Sequence, residues 1–412
     1  MKRLLVFFVQ FLLLSCLQLS AQEIKGSWKG DLDLATSKLT IVFHFDGDNC
    51  TMDSPDQGAT DIPAIVEFMS SDSVSVSNKQ LDMVFSGRLL DGKIEGEFKQ
   101  RGLSLPLILT HSEVVRNRPQ NPKPPFPYQT EEVMFINGNA TLSGTLIYPQ
   151  GWNGEKKVPV AIMVTGSGLQ NRDEEVFGHK PFLIIADYLA RHGIATLRYD
   201  DRGTGSSTGD GSNATTEVFM EDALAGIEFL RSKGKFGKVG VIGHSEGGEI
   251  AFMLGARKKV DFLVSLAGPG VQGDSILVLQ NNNALRKAGY DITVTKEEVR
   301  RAVKSRNDPW LDYFSNYDPV QDIRQIRCPA LILNGDKDTQ VESAVNIPPI
   351  EENLPKNRHG KFVSSHTAIK VYPGLNHLFQ HCVTGQKEEY KDIEETFAPE
   401  VLEDIATWIG KL

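Results

Sequence analysis

The sequence predicts two domains of different class: a small antiparallel all-β domain, then a larger α/β domain with a mostly parallel sheet flanked by helices. Three observations carry that reading. Short, partly alternating apolar runs separated by turn residues fill 22–112. Five prolines crowd residues 113–130. After Glu131, longer apolar strands alternate with helical segments. Alternation with period two marks half-buried strands, whereas near-continuous apolar strands mark a sheet covered on both faces. A chain of 412 residues suits two such domains.

The first residues, MKRLLVFFVQFLLLSCLQLSAQ, have a basic start at Lys2 and Arg3 and an apolar run over 4–19. Leu19-Ser20-Ala21 closes the run with a small residue, so residues 1–21 read as a signal peptide and the mature protein as secreted or periplasmic. A membrane anchor is the rival reading, and the short, interrupted run argues against it. LLSC over 13–16 offers a second alternative, a lipoprotein modified at Cys16. Without the leader, Cys50, Cys328 and Cys382 remain, an odd number that leaves any single bridge unassigned. The formal charge of −9 argues against nucleic acid and anionic membranes as partners. No span is expected after cleavage, and a homodimer remains open.

In the β-rich part, KLTIVFHF (38–45), AIVEFM (64–69), VSVS (74–77), LDMVFSGRL (81–89), KIEGEF (93–98) and LPLILT (105–110) read as strands. Six to eight strands at this spacing imply an antiparallel sheet or small barrel. Nothing in it has catalytic spacing, so a packing or dimerisation module is expected, with a pocket for an apolar or sugar ligand as the alternative. Pro119, Pro122, Pro124, Pro125 and Pro127 forbid helix and mark 113–130 as a linker.

In 131–412, EEVMFIN and TLSGTLIYP form a hairpin about Gly138-Asn139. Strands follow at 158–166, 194–200, 238–243, 260–268, 329–335 and 367–374, with helices near 182–192 and 218–230. Between Gly268 and Cys328, about sixty residues of helical character interrupt the alternation. Within them Thr295 and Glu298 have capping-box spacing. This insertion, about 269–325, would lie over the strand ends as a lid.

The chemistry centres on GHSEG, Gly243–Gly247. A serine alcohol needs an adjacent base to act as a nucleophile. In G-x-S-x-G the serine sits on a tight strand-to-helix turn that exposes its oxygen at the carboxyl edge of the sheet. Ser245 meets that context. The orienting acid is expected in DKDTQV after strand 329–335, as Asp338 with Asp336 as fallback. The base is expected after the last strand, as His377 in LNHLFQ. The chain order Ser, Asp, His fits this fold and differs from that of the trypsin and subtilisin types. Oxyanion donors are expected from the backbone N–H of Glu246 and from the loop TGSGLQNRDE, where Ser167 is chosen and Gly168 is next. Asp200, Asp201 and Arg202 are expected to brace a strand-end loop, and Arg172 is expected to pair with Glu246. His377 and His381 are four apart, but no third ligand accompanies them, so no metal is expected, and no cofactor either.

TGSGLQNRDE, LRYDDRGTGSS (197–207), GHSEGG, YDPVQDIRQIRCPALILNGDKDTQV (317–341) and YPGLNHLFQ (372–380) resemble a bacterial α/β-hydrolase of the serine carboxylesterase type, in the broad group also labelled serine aminopeptidase-like. The resemblance spans 131–412 and implies an α/β-hydrolase fold with Ser245, Asp338 and His377 as its triad. Thr165 stands where that group usually has the histidine of its HG loop. The expected activity is hydrolysis of a small-molecule carboxylic ester with a small or aromatic acyl group. A serine aminopeptidase is the alternative enzyme, and a binding protein on a hydrolase scaffold the alternative from another class.

Overall fold

The computed structural model describes residues 24–34, 38–47, 49–54, 59–79, 81–112 and 118–412. The leader expected over 1–21, Cys16 and residues 113–117 of the proline-rich stretch lie outside them. The chain forms two compact units, divided between Val115 and Arg116.

The first unit is a closed antiparallel barrel of eight strands in sequence order. These are β1 Gly26–Asp33, β2 Lys38–Asp46, β3 Asn49–Ser54, β4 Ala59–Met69, β5 Ser73–Asn78, β6 Met83–Leu90, β7 Lys93–Gln100 and β8 Leu103–Ser112. Closure comes from β1 pairing β8, with Trp28 opposite His111. Two strands, β1 and β3, were not anticipated. GSWKGDLD carries two glycines and NCTMDS is mostly polar, so neither shows an apolar run. Gly30 in β1 fits by lacking a side chain, since a Cβ there would lie 2.3 Å from the Ile108 carbonyl oxygen. The barrel interior is filled rather than hollow. Trp28, Phe43, Phe45 and Phe85 are fully buried, and the Phe43 and Phe85 rings stack at 5.1 Å.

The second unit carries an eight-stranded sheet in the order β16-β15-β14-β13-β11-β12-β10-β9. Its strands are β9 Thr130–Asn137, β10 Ala140–Ile147, β11 Val158–Val164, β12 Ala195–Tyr199, β13 Phe236–His244, β14 Phe262–Leu266, β15 Ala330–Gly335 and β16 Ala368–Tyr372. The β9–β10 hairpin turns at Gly138-Asn139 as expected and joins β12 antiparallel; β12 to β16 run parallel. Successive residues of β11 serve opposite cores. Val160, Ile162 and Val164 pack with α2 (Thr216–Ser232) and α3 (Glu246–Ala256). Ala161 and Met163 pack with α1 (Pro181–Arg191) and, at the chain's end, α9 (Pro399–Gly410). This is the double-faced burial that continuous apolar strands require. One further helix, Ser343–Asn353 (α8), follows β15 and was not anticipated, because Pro348-Pro349 inside it reads as a breaker.

The insertion after β14 is helical: α4 Gly273–Lys287, α5 Lys296–Arg306, α6 Pro309–Asn316 and α7 Val320–Ile323. Ile276, Leu285, Val299, Val303, Leu311 and Phe314 give it a core of its own. The capping box at its second helix forms in both directions, Glu298 N–H to the Thr295 hydroxyl oxygen and Thr295 N–H to the Glu298 carboxylate. The proline-rich stretch is bound to the second unit from Arg118 onward. The Arg118 guanidinium donates to the carbonyls of Phe177, Lys391 and Ile393, and Gln120 bonds the backbone of Thr396 and Phe397. Cys50, Cys328 and Cys382 are all free thiols.

Phe85→Ala removes a fully buried ring from the barrel centre. It should cost about 3–5 kcal/mol. In the full chain, amide protection should fall across the barrel and persist in the second unit. Unchanged protection in the barrel would contradict the filled interior.

Candidate active site

Ser245 occupies the corner between β13, which ends at His244, and α3, which begins at Glu246. Its backbone has φ 54° and ψ −117°, a region that L residues rarely adopt. Strain of this kind costs of order 1–3 kcal/mol and persists only where the surroundings over-determine it. They do so here. A Cβ on Gly243 would lie 1.8 Å from the Gly247 oxygen, and one on Gly247 would lie 2.0 Å from the Val164 oxygen. The Ser245 N–H bonds the Leu266 carbonyl, and its own carbonyl accepts from Gly248 and Glu249. Ser245 itself stays half-exposed while its chain neighbours are buried.

Asp338 lies in the loop after β15 and is buried. Its Oδ1 accepts the backbone N–H groups of Gln340 and Val341 at 2.8 and 2.9 Å. Its Oδ2 lies 2.7 Å from Nδ1 of His377, in the loop after β16. That bond fixes the tautomer: Nδ1 carries the proton, and Nε2 is left as the base. Burial holds the His377 pKa below its ordinary value, against the opposing pull of the Asp338 carboxylate. The His377 loop is rigid, because Asn376 Oδ1 accepts from Leu378 and Gln380 N–H. Among the described residues no hydrogen bond joins the Ser245 hydroxyl to His377. Such bonds are often long without substrate and tighten when it binds. Asp336, the fallback acid, is exposed and accepts the Gly374 N–H.

The loop after β11 passes beside the serine: a Cβ on Gly166 would meet the Ser245 Cβ at 3.1 Å. The next peptide N–H is that of Ser167. Thr165 donates its hydroxyl to Asp201, which also accepts the Gln170 N–H. So Asp201 pins the loop at both ends, and burial raises its pKa to about 8. The bracing expected of Asp200 and Arg202 is also present. Arg172 grips Asp200 through two nitrogens, and Arg202 pairs with buried Asp222.

The expected Arg172–Glu246 pair does not form. The Arg172 guanidinium is consumed by Asp200, Glu132, Ser143 and Thr145. The Glu246 carboxylate instead accepts from Thr216 Oγ1 at 2.6 Å and from Trp310 Nε1 at 2.8 Å, with the Ser167 side chain as a third donor. Trp310 belongs to α6, so the lid is tied to the residue next to Ser245. His381 turns away from His377, and its ring nitrogens face Glu395 and Glu400. Among the described residues no group of three or more His, Cys, Asp and Glu has the arrangement to hold a metal.

Two groups were missed by sequence reasoning. Glu249, one turn beyond Ser245, is buried with neither oxygen hydrogen-bonded, and burial pushes its pKa well above the usual carboxylate range. Glu174, in the polar NRDE turn, bonds both His244 and the Gly166 N–H. The only prior signal for it was the histidine of GHSEG, which needs a partner once buried.

Residues 181–308 match the family model described as serine aminopeptidase, S33 (Hydrolase_4); the stretch holds the Ser245 corner and stops short of Asp338 and His377. Esterase EstD of Thermotoga maritima is 25% identical over 298 residues, covering 68% of each chain. The human serine hydrolase BPHL is 23% identical over 164 residues, covering 36% of this chain and 55% of that protein. Among solved structures, an esterase of Pyrococcus furiosus superposes with a TM-score of 0.48 at 18% identity, over 73% of this chain and 99% of its own. The sheet order gives the second unit an α/β-hydrolase fold, preceded in the chain by the β-barrel module, and the chain is similar to esterases and to the serine aminopeptidase-like hydrolases.

Proposed function

We propose that the protein hydrolyses small-molecule carboxylic esters through an acyl-serine intermediate. One observation carries the reading: a buried Asp338–His377 pair at 2.7 Å, in loops at the same sheet edge as the strained Ser245 corner. Ser245 Oγ attacks the ester carbonyl and passes its proton to His377 Nε2. Asp338 holds the imidazole in place and stabilises its cation. The tetrahedral oxyanion is received by the backbone N–H groups of Ser167 and Glu246. His377 then protonates the departing alcohol, leaving acylated Ser245. Water, deprotonated by the same imidazole, attacks the acyl carbon, and collapse returns the proton to Ser245 as the acid departs. No step draws on a cofactor.

The choice of an ester over a peptide rests on the acids near Ser245. A peptide amino terminus needs a carboxylate with open acceptor capacity. Glu246 already serves Thr216, Trp310 and Ser167. Glu249 is held toward its neutral form by burial and makes a poor partner for an ammonium group. The aminopeptidase reading keeps the family description in its favour. Residues 1–21 are proposed as a signal peptide exporting the enzyme, with lipidation of Cys16 as the alternative, which the mass of the mature N-terminus distinguishes.

Aryl esters of graded acyl length should be turned over in preference to aminoacyl anilides, and Ser245→Ala should abolish both turnover and fluorophosphonate labelling. Anilide preference would overturn the ester assignment, and a wild-type protein that neither turns over nor labels would overturn the hydrolase. Asp338→Asn leaves His377 in the wrong tautomer and should lower kcat by about 10³–10⁴-fold. Trp310→Phe deletes one donor to Glu246 and should raise KM for longer acyl groups more than it lowers kcat; an equal fall in kcat for every ester would place Trp310 in the chemistry instead.

A further inference from the structure

His244, the residue before the nucleophile, is buried and bonded at both ring nitrogens. Nδ1 lies 2.8 Å from Glu174 Oε1, and Nε2 lies 2.9 Å from the His377 carbonyl oxygen. A carbonyl oxygen only accepts, so Nε2 must carry a proton. Glu174 Oε1 also accepts the Gly166 N–H at 2.7 Å. A carboxylate only accepts, so Nδ1 carries a proton too. An imidazole with both nitrogens protonated is a cation. The Glu174 charge and its hydrogen bond raise the His244 pKa against the burial that would lower it.

We propose that Glu174 holds His244 as a buried imidazolium, and that this cation both positions His377 and keeps it unprotonated, making Glu174 and His244 positioning residues of the hydrolase. The inference rests on the ester-hydrolase reading for its kinetic consequence and on geometry alone for the cation. The two histidine rings have centroids 4.7 Å apart, so a second positive charge on His377 is repelled. The same pair reaches three loops at once: Glu174 holds the oxyanion loop through Gly166, and His244 holds the His377 backbone while carrying Ser245 on its carboxyl side. Apolar groups close over the pair: Pro181, Phe182 and Ile185 of α1, Leu266 of β14, and Leu378 and Phe397. The charged and titratable groups that face His244 are Glu174, His377 and Asp338. Those facing His377 are Asp338, His244, Lys387 and the Tyr390 phenol, and Asp201 lies across from Glu174.

Two variants separate charge from shape. Glu174→Gln keeps the size of the side chain but removes the anion that sustains the His244 cation. Glu174→Asp keeps the anion and shortens its reach. Fluorophosphonate labelling of Ser245 requires neutral His377, so its rate should rise with pH through the His377 pKa. In Glu174→Gln that acid limb should move up by about one pH unit or more. In Glu174→Asp it should stay near the wild-type position even if the maximal rate falls. A limb that stays in place or moves down in Glu174→Gln overturns the electrostatic role. Nitrogen NMR of the wild-type protein with labelled histidine is the second readout and needs no activity. Both His244 ring nitrogens should give protonated signals at pH 8, assigned by their loss in His244→Gln. An unprotonated Nδ1 would mean a neutral acid–imidazole pair and overturn the cation. If wild-type Ser245 fails to label, the hydrolase reading falls while the NMR result still decides the state of His244. If Glu174→Gln fails to fold, the NMR result and Glu174→Asp still decide: a neutral Nδ1, or an acid limb displaced in the aspartate variant, overturns the proposal.

Discussion

Everything at this sheet edge depends on how closely α3 can approach the ends of β11 and β13. The corner at Ser245 forms because two glycines let backbone touch backbone. Gly243 accommodates the Gly247 carbonyl, and Gly247 accommodates that of Val164. A methyl group at either position would push the helix off the sheet. The serine's own backbone then sits where L residues rarely sit, held by bonds to Leu266, Gly248 and Glu249. The central position of β13, between β11 and β14, sets the remaining partners. The loop after β11 lies on one side of the serine, and the loops after β15 and β16 supply the acid and the imidazole.

Around that corner, carboxylates hold several loops as well as the imidazole. Asp338 orients His377. Asp201 pins the Thr165–Gln170 loop, Asp200 anchors Arg172, Glu246 ties lid to corner, and Glu174 links His244 to Gly166. Each is buried or partly so, which is costly unless donors are provided. Most are provided by backbone N–H groups or neutral side chains, so the loops are held in shape by the same bonds that satisfy the acids. Glu249 is the exception, lacking any hydrogen bond, and burial answers the cost by favouring its neutral form.

The large features of the fold were legible because they follow from period and order. Continuous apolar runs announced the parallel strands, and the Ser–Asp–His order picked out residues that the fold then gathers at one edge. What stayed hidden depends on contacts between distant residues. Glu174 and His244 are seventy positions apart, and nothing local to NRDE says that its last residue reaches GHSEG. Arg172 was assigned to the wrong acid because Asp200 competes for it, in a network with Glu132 and Thr145 from the hairpin. Strands β1 and β3 were hidden by glycine and polar residues that suit a tightly closed barrel. Helix α8 was hidden by two prolines that its packing tolerates.

The anchoring of Arg118 and Gln120 changes where the hydrolase unit begins as a physical object. Composition suggests a cut near Glu131, after the last proline. A chain started there would lack the guanidinium that caps the carbonyls of Phe177, Lys391 and Ile393, and the amide that holds Thr396 and Phe397. Those carbonyls flank the segment that packs His179 against Tyr390 and Thr396. The prolines from Pro119 on therefore follow a segment fastened to the hydrolase unit at Arg118 and Gln120, and excision of the domain has to respect that fastening rather than the composition.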